Sequence, residues 1–310
     1  MRSIVCVFLI ALFLGCTPEN KESTTKGKLH VFVPESIAPV MIDEVNEFLG
    51  LYQLNGAHIT DTIVSAETVI HKFVQDTAHI AFLPRPLTLA EKEQVKALSA
   101  NLNELIVAYD GIVAVVHPKN KIAEMTTTEL QKILSGTMTH WDQIAKPMKG
   151  TIKIYCQDSS DVTEYLTQRL LKQNGLSAKF THTSSDMQTL RLVEKDPLAV
   201  GFVALGWIDS AKSAAKILNL GRTNEDTDTT FATPAETRGK FFSPHLANIY
   251  RNYYPLKRAI YMYTRGQVDL AAGFGSYVAT SEGQKLFLKH GLLPGTQRIK
   301  LKTELPQEAP

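Results

Sequence analysis

From Leu29 onward, short apolar β-rich runs alternate with stretches whose apolar residues recur at helical spacing, and this alternation narrows the fold more than any other feature of the chain. "KLHVFVP" reads as a strand and leads directly into the helical "APVMIDEVNEFLGLY". "AHITDTIV" is the next strand, "AETVIHKFVQD" the next helix and "AHIAFLP" a third strand. Parallel strands need a crossover long enough to hold a helix, and that helix then covers one face of the sheet. A β-α-β-α-β succession therefore predicts an α/β fold with a parallel sheet flanked by helices.

Further on, "ELIVAYDGIVAVVHP" is a long β-rich segment broken by Asp110-Gly111, a strong turn signal that suits a chain passing from one lobe into another. A second region opens with "TTTELQKILSGTMTHWDQI", a helix with Thr at its start and Gly136 at its stop. Then come a strand and Ser-rich turn in "IKIYCQDSSDVTEYL", the helix "VTEYLTQRLLKQNG" and the strand "LAVGFVAL". Residues 221–240 are polar and turn-rich, as in a surface excursion. The β-rich "YYPLKRAIYMYT" and the helical "QVDLAAGFGSYVATSEGQKLFLKHG", closed by Gly291 and Pro294, complete the pattern. Two α/β lobes joined by two extended crossings is the simplest architecture with this order.

The first sixteen residues, MRSIVCVFLIALFLGC, carry one Arg and then an apolar run too short to span a bilayer. The closing FLGC is similar to a bacterial lipobox, with Phe13 where Leu is commoner, and predicts a signal over 1–15 and a lipid anchor on Cys16. An ordinary secretory signal with a chance Cys is the plainer alternative. Residues 16–27 are polar and are expected to form a flexible tether. With Cys6 removed and Cys16 acylated, Cys156 is the remaining thiol, so no intrachain disulfide is expected in the exported protein. About 280 residues are left, enough for two lobes with separate cores. A formal charge of +2 points neither to nucleic acid nor to a polybasic membrane contact.

Five stretches, in order and spacing, resemble the periplasmic phosphate-binding proteins of ABC transporters (PstS-like, type II periplasmic-binding-protein fold). They are "AYDGIVAVVHPKN" (108–120), "TTTELQKILSGTMTHWDQI" (126–144), "DPLAVGFVAL" (196–205), "YPLKRAIYMYT" (254–264) and "SEGQKLFLKHGLLPG" (281–295). The resemblance implies a two-lobed Venus flytrap, with lobe 1 from 28–111 plus 256–310 and lobe 2 from 112–255. It implies a hinge at Asp110 and Gly111, a small oxyanion such as phosphate held between the lobes, and an ABC permease as partner. A monomer on the periplasmic or cell-surface face of a bacterial membrane is expected, held there through its lipid anchor alone.

The family's ligand loops fall on four places here. The loop after the first strand is "VPESIAPV", with Ser36 and, beside it, Glu35. Ser65 in "IVSAETV" matches a second loop, and Arg85 in "LPRPL" a third. A fourth pattern, Arg followed four residues later by Ser-Gly-Thr, falls on the turn containing Ser159, Ser160 and Asp161. Cys156 stands at the Arg position and Ser160-Asp161-Val162 at Ser-Gly-Thr. Positive charge is thus lost and negative charge added where the family holds its anion. Like charges about 4 Å apart repel by about 4 kcal/mol at an effective dielectric of 20. If Glu35 and Asp161 both face the cleft, a protonated oxyanion could donate hydrogen bonds to them.

Each candidate has a plainer role. Asp161-Val162-Thr163-Glu164 fits a capping box with Asp161 as N-cap, and Ser36 and Ser65 could cap their own helices. Arg85 fits a solvated or salt-bridged surface group, Asp110 a turn stabiliser, and Cys156 a small apolar filler. The nine His form no metal-binding spacing, and no cofactor motif is present. Ser213-Ala214-Ala215-Lys216 fits the Ser-x-x-Lys pattern of acyl enzymes, but its companion elements are missing. The expectation is therefore a solute-binding protein and not an enzyme. The alternative is a surface or assembly lipoprotein of the same fold whose ligand site has been altered.

Overall fold

A computed structural model describes residues 22–98, 101–146, 148–172 and 179–298. Cys16 and the expected signal lie outside the described residues. The strands, in chain order, are β1 (Gly27–Pro34), β2 (Ala57–Val64), β3 (Ile80–Leu83), β4 (Asn103–Val116), β5 (Glu124–Thr126), β6 (Lys153–Gln157), β7 (Phe180–Thr183), β8 (Ala199–Ala204), β9 (Lys216–Ile217), β10 (Asn219–Gly221), β11 (Phe241–Phe242), β12 (Lys257–Thr264) and β13 (Leu293–Pro294). The helices are α1 (Ala38–Tyr52), α2 (Ala66–Val74), α3 (Leu89–Leu98), α4 (Thr127–Leu134), α5 (Asp161–Leu166), α6 (Asp186–Val193), α7 (Gly206–Ser210), α8 (Leu246–Tyr250), α9 (Leu270–Val278) and α10 (Ser281–Lys289).

The largest sheet runs β3-β12-β4-β8-β6-β7, with β9 and β13 also paired to β4. The predicted parallel pairing holds for β1 with β2, β6 with β7 and β6 with β8. The strands that carry the chain between lobes differ. β4 and β12 run in opposite senses, so β3–β12, β12–β4 and β4–β8 are antiparallel and the sheet is mixed.

β4 does not break at Asp110-Gly111, as its turn signal had suggested. Both residues stay in the ladder, opposite Arg258 and Lys257. Asp110 uses its carboxylate on its own neighbour's amide, Gly111 N–H at 2.7 Å, and on Arg258, so nothing remains to close a turn. The strand changes partner here instead: residues up to Gly111 pair with β12, and Ile112 to Val116 pair with β8. Ile112 N–H also donates to Leu256 O at 2.9 Å, which ties the two crossings together. Gly111 has little room for a side chain, since a Cβ would sit 3.2 Å from Tyr254 Cε1.

Separate cores flank this change of partner. One gathers Val113, Val115, Trp141, Val162 and Phe202; the other gathers Val31, Val33, Met41, Phe48, Phe274 and Phe287. Phe48 and Phe274 meet edge-on, their ring centres 5.5 Å apart. Helix punctuation follows local chemistry. Thr126 and Glu129 form a capping box that starts α4, and Gly136 follows the helix at φ 75°. The C-terminal helical stretch divides into α9 and α10, because Thr280 caps the second.

Two expectations about polar segments need correction. The end of the tether is folded rather than free: Ser23 and Lys26 bridge, and the Thr24 carbonyl lies directly over Gly273 of α9, where a Cβ would collide with it. Likewise 221–240 is not simply a surface excursion. Arg222, Asp226 and Thr237 are buried, and Asp226 accepts from Arg169 at 2.8 Å and from Thr127 Oγ1 at 2.9 Å. Those partners supply the polar contacts that the segment's composition would otherwise seek from water.

Candidate functional site

Three loops and one strand end converge where the cores meet. The loop after β1 winds into a 3-10 turn over Glu35–Ile37 that buries Ser36. After β6, Ser159 adopts a left-handed conformation (φ 51°) and turns the chain into α5. Ser160 is the N-cap: its Oγ accepts from Thr163 N–H at 3.2 Å. The N-cap is therefore Ser160 and not Asp161, and the capping box proposed for Asp161 and Glu164 does not form. Glu164 accepts instead from Gln168 at 2.9 Å, and Asp161, the first helical residue, turns its carboxylate to the seam.

There it meets Arg258, near the start of β12. Asp161 Oδ2 accepts from Arg258 Nη1 at 2.5 Å and from Ser36 Oγ at 2.5 Å. Arg258 Nη2 donates to Ser36 Oγ at 3.0 Å and to Asp110 Oδ2 at 2.9 Å, and Nε donates to Asp110 Oδ2 at 3.1 Å. Arg258 is 2% exposed and Asp161 7% exposed. A guanidinium has five N–H donors, and these contacts engage most of them. Both carboxylates hold the guanidinium charged, raising Arg258 further above its already high range despite its burial. Burial pushes Asp110 up, opposed by Arg258 and the Gly111 amide.

A second group of acids lies alongside. Glu35 Oε1 accepts from Asp186 N–H at 3.1 Å, Glu35 O accepts from Trp207 Nε1 at 3.0 Å, and Asp186 Oδ2 accepts from Ala204 N–H at 2.8 Å. Glu35 Oε2 and Asp186 Oδ1 have no partner among the described residues. Burial pushes Glu35 up to about 7, with Asp161 adding to the rise, and lifts Asp186 well above the usual carboxylate range. Carboxyls placed like this hold protons near neutral pH.

The other candidates form no hydrogen bond with Arg258 among the described residues. Ser65 caps α2 by accepting from Thr68 N–H at 3.2 Å. Arg85 grips Glu91 through both terminal nitrogens, at 2.9 and 3.0 Å. Ser159, Ser160 and Asp161 line a cavity of about 500 Å³ whose walls also hold Glu67, Asp158 and Glu164. Cys156 is buried, with Sγ 2.9 Å from Thr163 Oγ1, and burial pushes its thiol up to about 12. Ser213 and Lys216 do not meet: Ser213 Oγ donates to Glu194, and Lys216 reaches Asn120 O. Sequence reasoning missed Arg258, Asp186 and the part Asp110 plays with Arg258. The signal available for Arg258 was a charged pair opening an otherwise apolar strand, "LKRAIYMY".

Comparison with known proteins fits this architecture. The profile of the PBP superfamily domain matches residues 18–282. The chain is 24% identical to protein SphX of Synechococcus elongatus, over 89% of this chain and 80% of SphX. It is 21% identical to the phosphate-binding protein PstS of Borreliella burgdorferi, over 94% of this chain and 98% of that protein. Among solved structures, it resembles a phosphate ABC transporter type of substrate-binding protein from Clostridium perfringens, with phosphate bound (TM-score 0.67, 17% identity, 86% of this chain and 99% of that one). It also resembles an ABC-type phosphate transport receptor from Vibrio cholerae (TM-score 0.62, 19% identity, 86% of this chain and all of that one, at 100%). Sheets flanked by helices, the two-lobed likeness and a family match over most of its length place the chain in the PBP superfamily.

Proposed function

We propose that the chain is the solute receptor of an ABC transporter and that it binds a small oxyanion, phosphate, between its lobes. In this reading lobe 1 comprises 28–111 plus 256–310, lobe 2 comprises 112–255, and the hinge lies at Asp110 and Gly111. The observation that carries it is the buried Arg258 guanidinium, whose terminal nitrogens reach both the Ser36 hydroxyl and the Asp161 carboxylate. An oxyanion leaving water needs converging donors, and a guanidinium beside a hydroxyl and a helix start supplies them. One relative named for phosphate binding, PstS of Borreliella burgdorferi, aligns over 94% of the chain, which supports phosphate as the ligand.

Binding involves no covalent step. The anion displaces the Asp161 carboxylate from Ser36 Oγ–H and Arg258 Nη1–H, and the lobes close on it. On release Asp161 returns to the same donors, so Arg258 keeps a counter-charge throughout. A Cys16 lipid anchor would hold the receptor beside its permease on the outer face of a bacterial membrane. The same contact supports a second reading, a surface or assembly lipoprotein whose cleft Asp161 has closed. Calorimetry separates the two: saturable heat with phosphate is expected for the receptor. No heat with phosphate or sulfate would leave only the assembly role.

A further inference from the structure

The end of the chain that a Cys16 anchor would hold is folded against an apolar tip. Ser23 and Lys26 bridge, Gly27 N–H donates to Gly56 O at 3.0 Å, and the Lys26 side chain packs over Gly56. Gly56, at φ 96°, closes the 3-10 turn Gln53–Asn55 that follows α1. The chain is thus tied to the body from Ser23 onward, seven residues after Cys16. At about 3.6 Å per residue, an anchor on Cys16 keeps this tip within about 25 Å of the lipid.

Two leucines at the tip are left in water. In α1 the buried Met41, Val45 and Phe48 form an apolar stripe, and Leu51 and Tyr52 carry it one turn further, past the end of the core. Leu51 is 57% exposed, and Leu54, three residues on in the 3-10 turn, is fully exposed. Turn tips are ordinarily polar, because their backbone groups face water. A single exposed leucine is commonplace, but side chains three apart in such a turn eclipse one another and present one face. Charge gives this end no sign, since Lys26 and Lys28 are offset by Glu22 and Glu47.

We infer that this tip docks on the surface of a lipid bilayer, with Leu51 and Leu54 seated at the headgroup boundary. The inference rests on the reading of Cys16 as a lipid anchor. Tethering turns a weak contact into an intramolecular one at high effective concentration, so a face of two leucines is enough. The consequence is a fixed height for the ligand cluster. β1 runs from Gly27 at the tip to Pro34, two residues before Ser36, and its eight residues at about 3.3 Å each span about 25 Å. The fifteen residues of α1, at about 1.5 Å each, return over a similar distance. Docking therefore stands Arg258 and Ser36 about 25 Å above the lipid, where the tether alone would let the body tumble.

The test is quenching of tryptophan by brominated acyl chains. The whole chain is expressed in a bacterium, its acylation is checked by mass, and it is reconstituted into vesicles of zwitterionic phosphatidylcholine, with and without bromine. The emission that Leu54→Trp adds to the parent chain should fall at least twofold on bromination. Leu89→Trp, at another exposed leucine (81%) that follows the Arg258 end of β3, should add emission that bromine leaves unchanged. Leu51→Gln in the Leu54→Trp chain should remove at least half of the quenching without moving the urea midpoint. Unquenched Leu54→Trp emission in an acylated, vesicle-bound chain overturns the inference and leaves the anchor in place. Equal quenching at both positions also overturns it, since the body would then have no set orientation. A chain without lipid on Cys16 overturns the anchor reading and the docking with it. Unquenched Leu54→Trp together with Leu54→Cys chains that crosslink in pairs assigns the face to a second copy and overturns the inference too.

Discussion

Arg258 and Asp161 come from separate elements, β12 and α5, and meet at 2.5 Å with almost no solvent between them and the core. The Asp161 carboxylate takes up an Arg258 N–H and the Ser36 hydroxyl, donors of the kind that suit an anion. Ser36 and Asp110 complete the arrangement. Most of the guanidinium's N–H groups are engaged, which makes the contact a structural tie and, under the proposed function, a competitor for the ligand.

Removing the cation should be costly. Arg258→Met leaves Asp110 and Asp161 buried without their counter-charge, and breaking a buried pair this way costs about 3–5 kcal/mol. Urea unfolding should show a much lower midpoint. Arg258→Lys should fall between the two, because an ammonium is a point charge that cannot span Ser36, Asp110 and Asp161 together. A midpoint unchanged in Arg258→Met would show that the cluster contributes nothing to stability.

Removing the competitor should help the ligand. Asp161→Gly frees Ser36 Oγ and Arg258 Nη1 while Asp110 still balances the guanidinium. Phosphate affinity is expected to rise tenfold or more, equivalent to about 1.4 kcal/mol. Calorimetry of the variant beside the parent chain decides it: equal or weaker binding would mean that phosphate does not use those donors.

How much of this was legible depended on the range of the interaction. The bounds of α1, the strands β1 and β2 and the capping of α4 follow from neighbours a few residues apart, so periodicity and turn chemistry exposed them. Ser36 and Asp161 were candidates because they sit in loops that resemble the family's. Arg258 escaped notice because its partners lie 97, 148 and 222 residues away, and no local pattern brings them together. At α5 the difficulty was chemical. Ser160 and Asp161 are equally good N-caps, and only the pull of Arg258 on Asp161 separates their roles. The polar 221–240 segment misled for a related reason, since composition cannot show that Arg169 waits to pair with Asp226.

Glu35 makes stability depend on pH. Its folded value, about 7, lies above the ordinary 4.5 of a glutamate, so the folded chain binds this proton more tightly. That contribution is complete below about 4.5 and is lost as pH rises through 7. Asp186, shifted the same way, adds to it, while Arg258 opposes the shift and Asp161 favours it. Urea midpoints should therefore fall between pH 5 and pH 8, and Glu35→Gln should flatten part of that slope. An identical slope in the variant would rule Glu35 out as its source.

Glu44 offers a sharper case away from the seam. It lies on α1, fully buried, and neither of its carboxyl oxygens has a partner among the described residues. Burial pushes it up to about 9, with Asp43 and Glu47 adding to the rise. Folded, it is neutral at pH 7; unfolded, it is ionised. The mismatch costs about 3 kcal/mol at pH 7, at about 1.4 kcal/mol per pH unit above its unfolded value. Stability from this group is complete below 4.5 and is lost as pH rises through 9. Glu44→Gln removes the titration but keeps the shape. It should match the parent chain near pH 5 and exceed it at pH 8 by about 4 kcal/mol in urea unfolding. Parallel pH profiles for the two proteins would show that Glu44 keeps an ordinary affinity for its proton, and its burial would then need a partner that α1 and its neighbours do not provide.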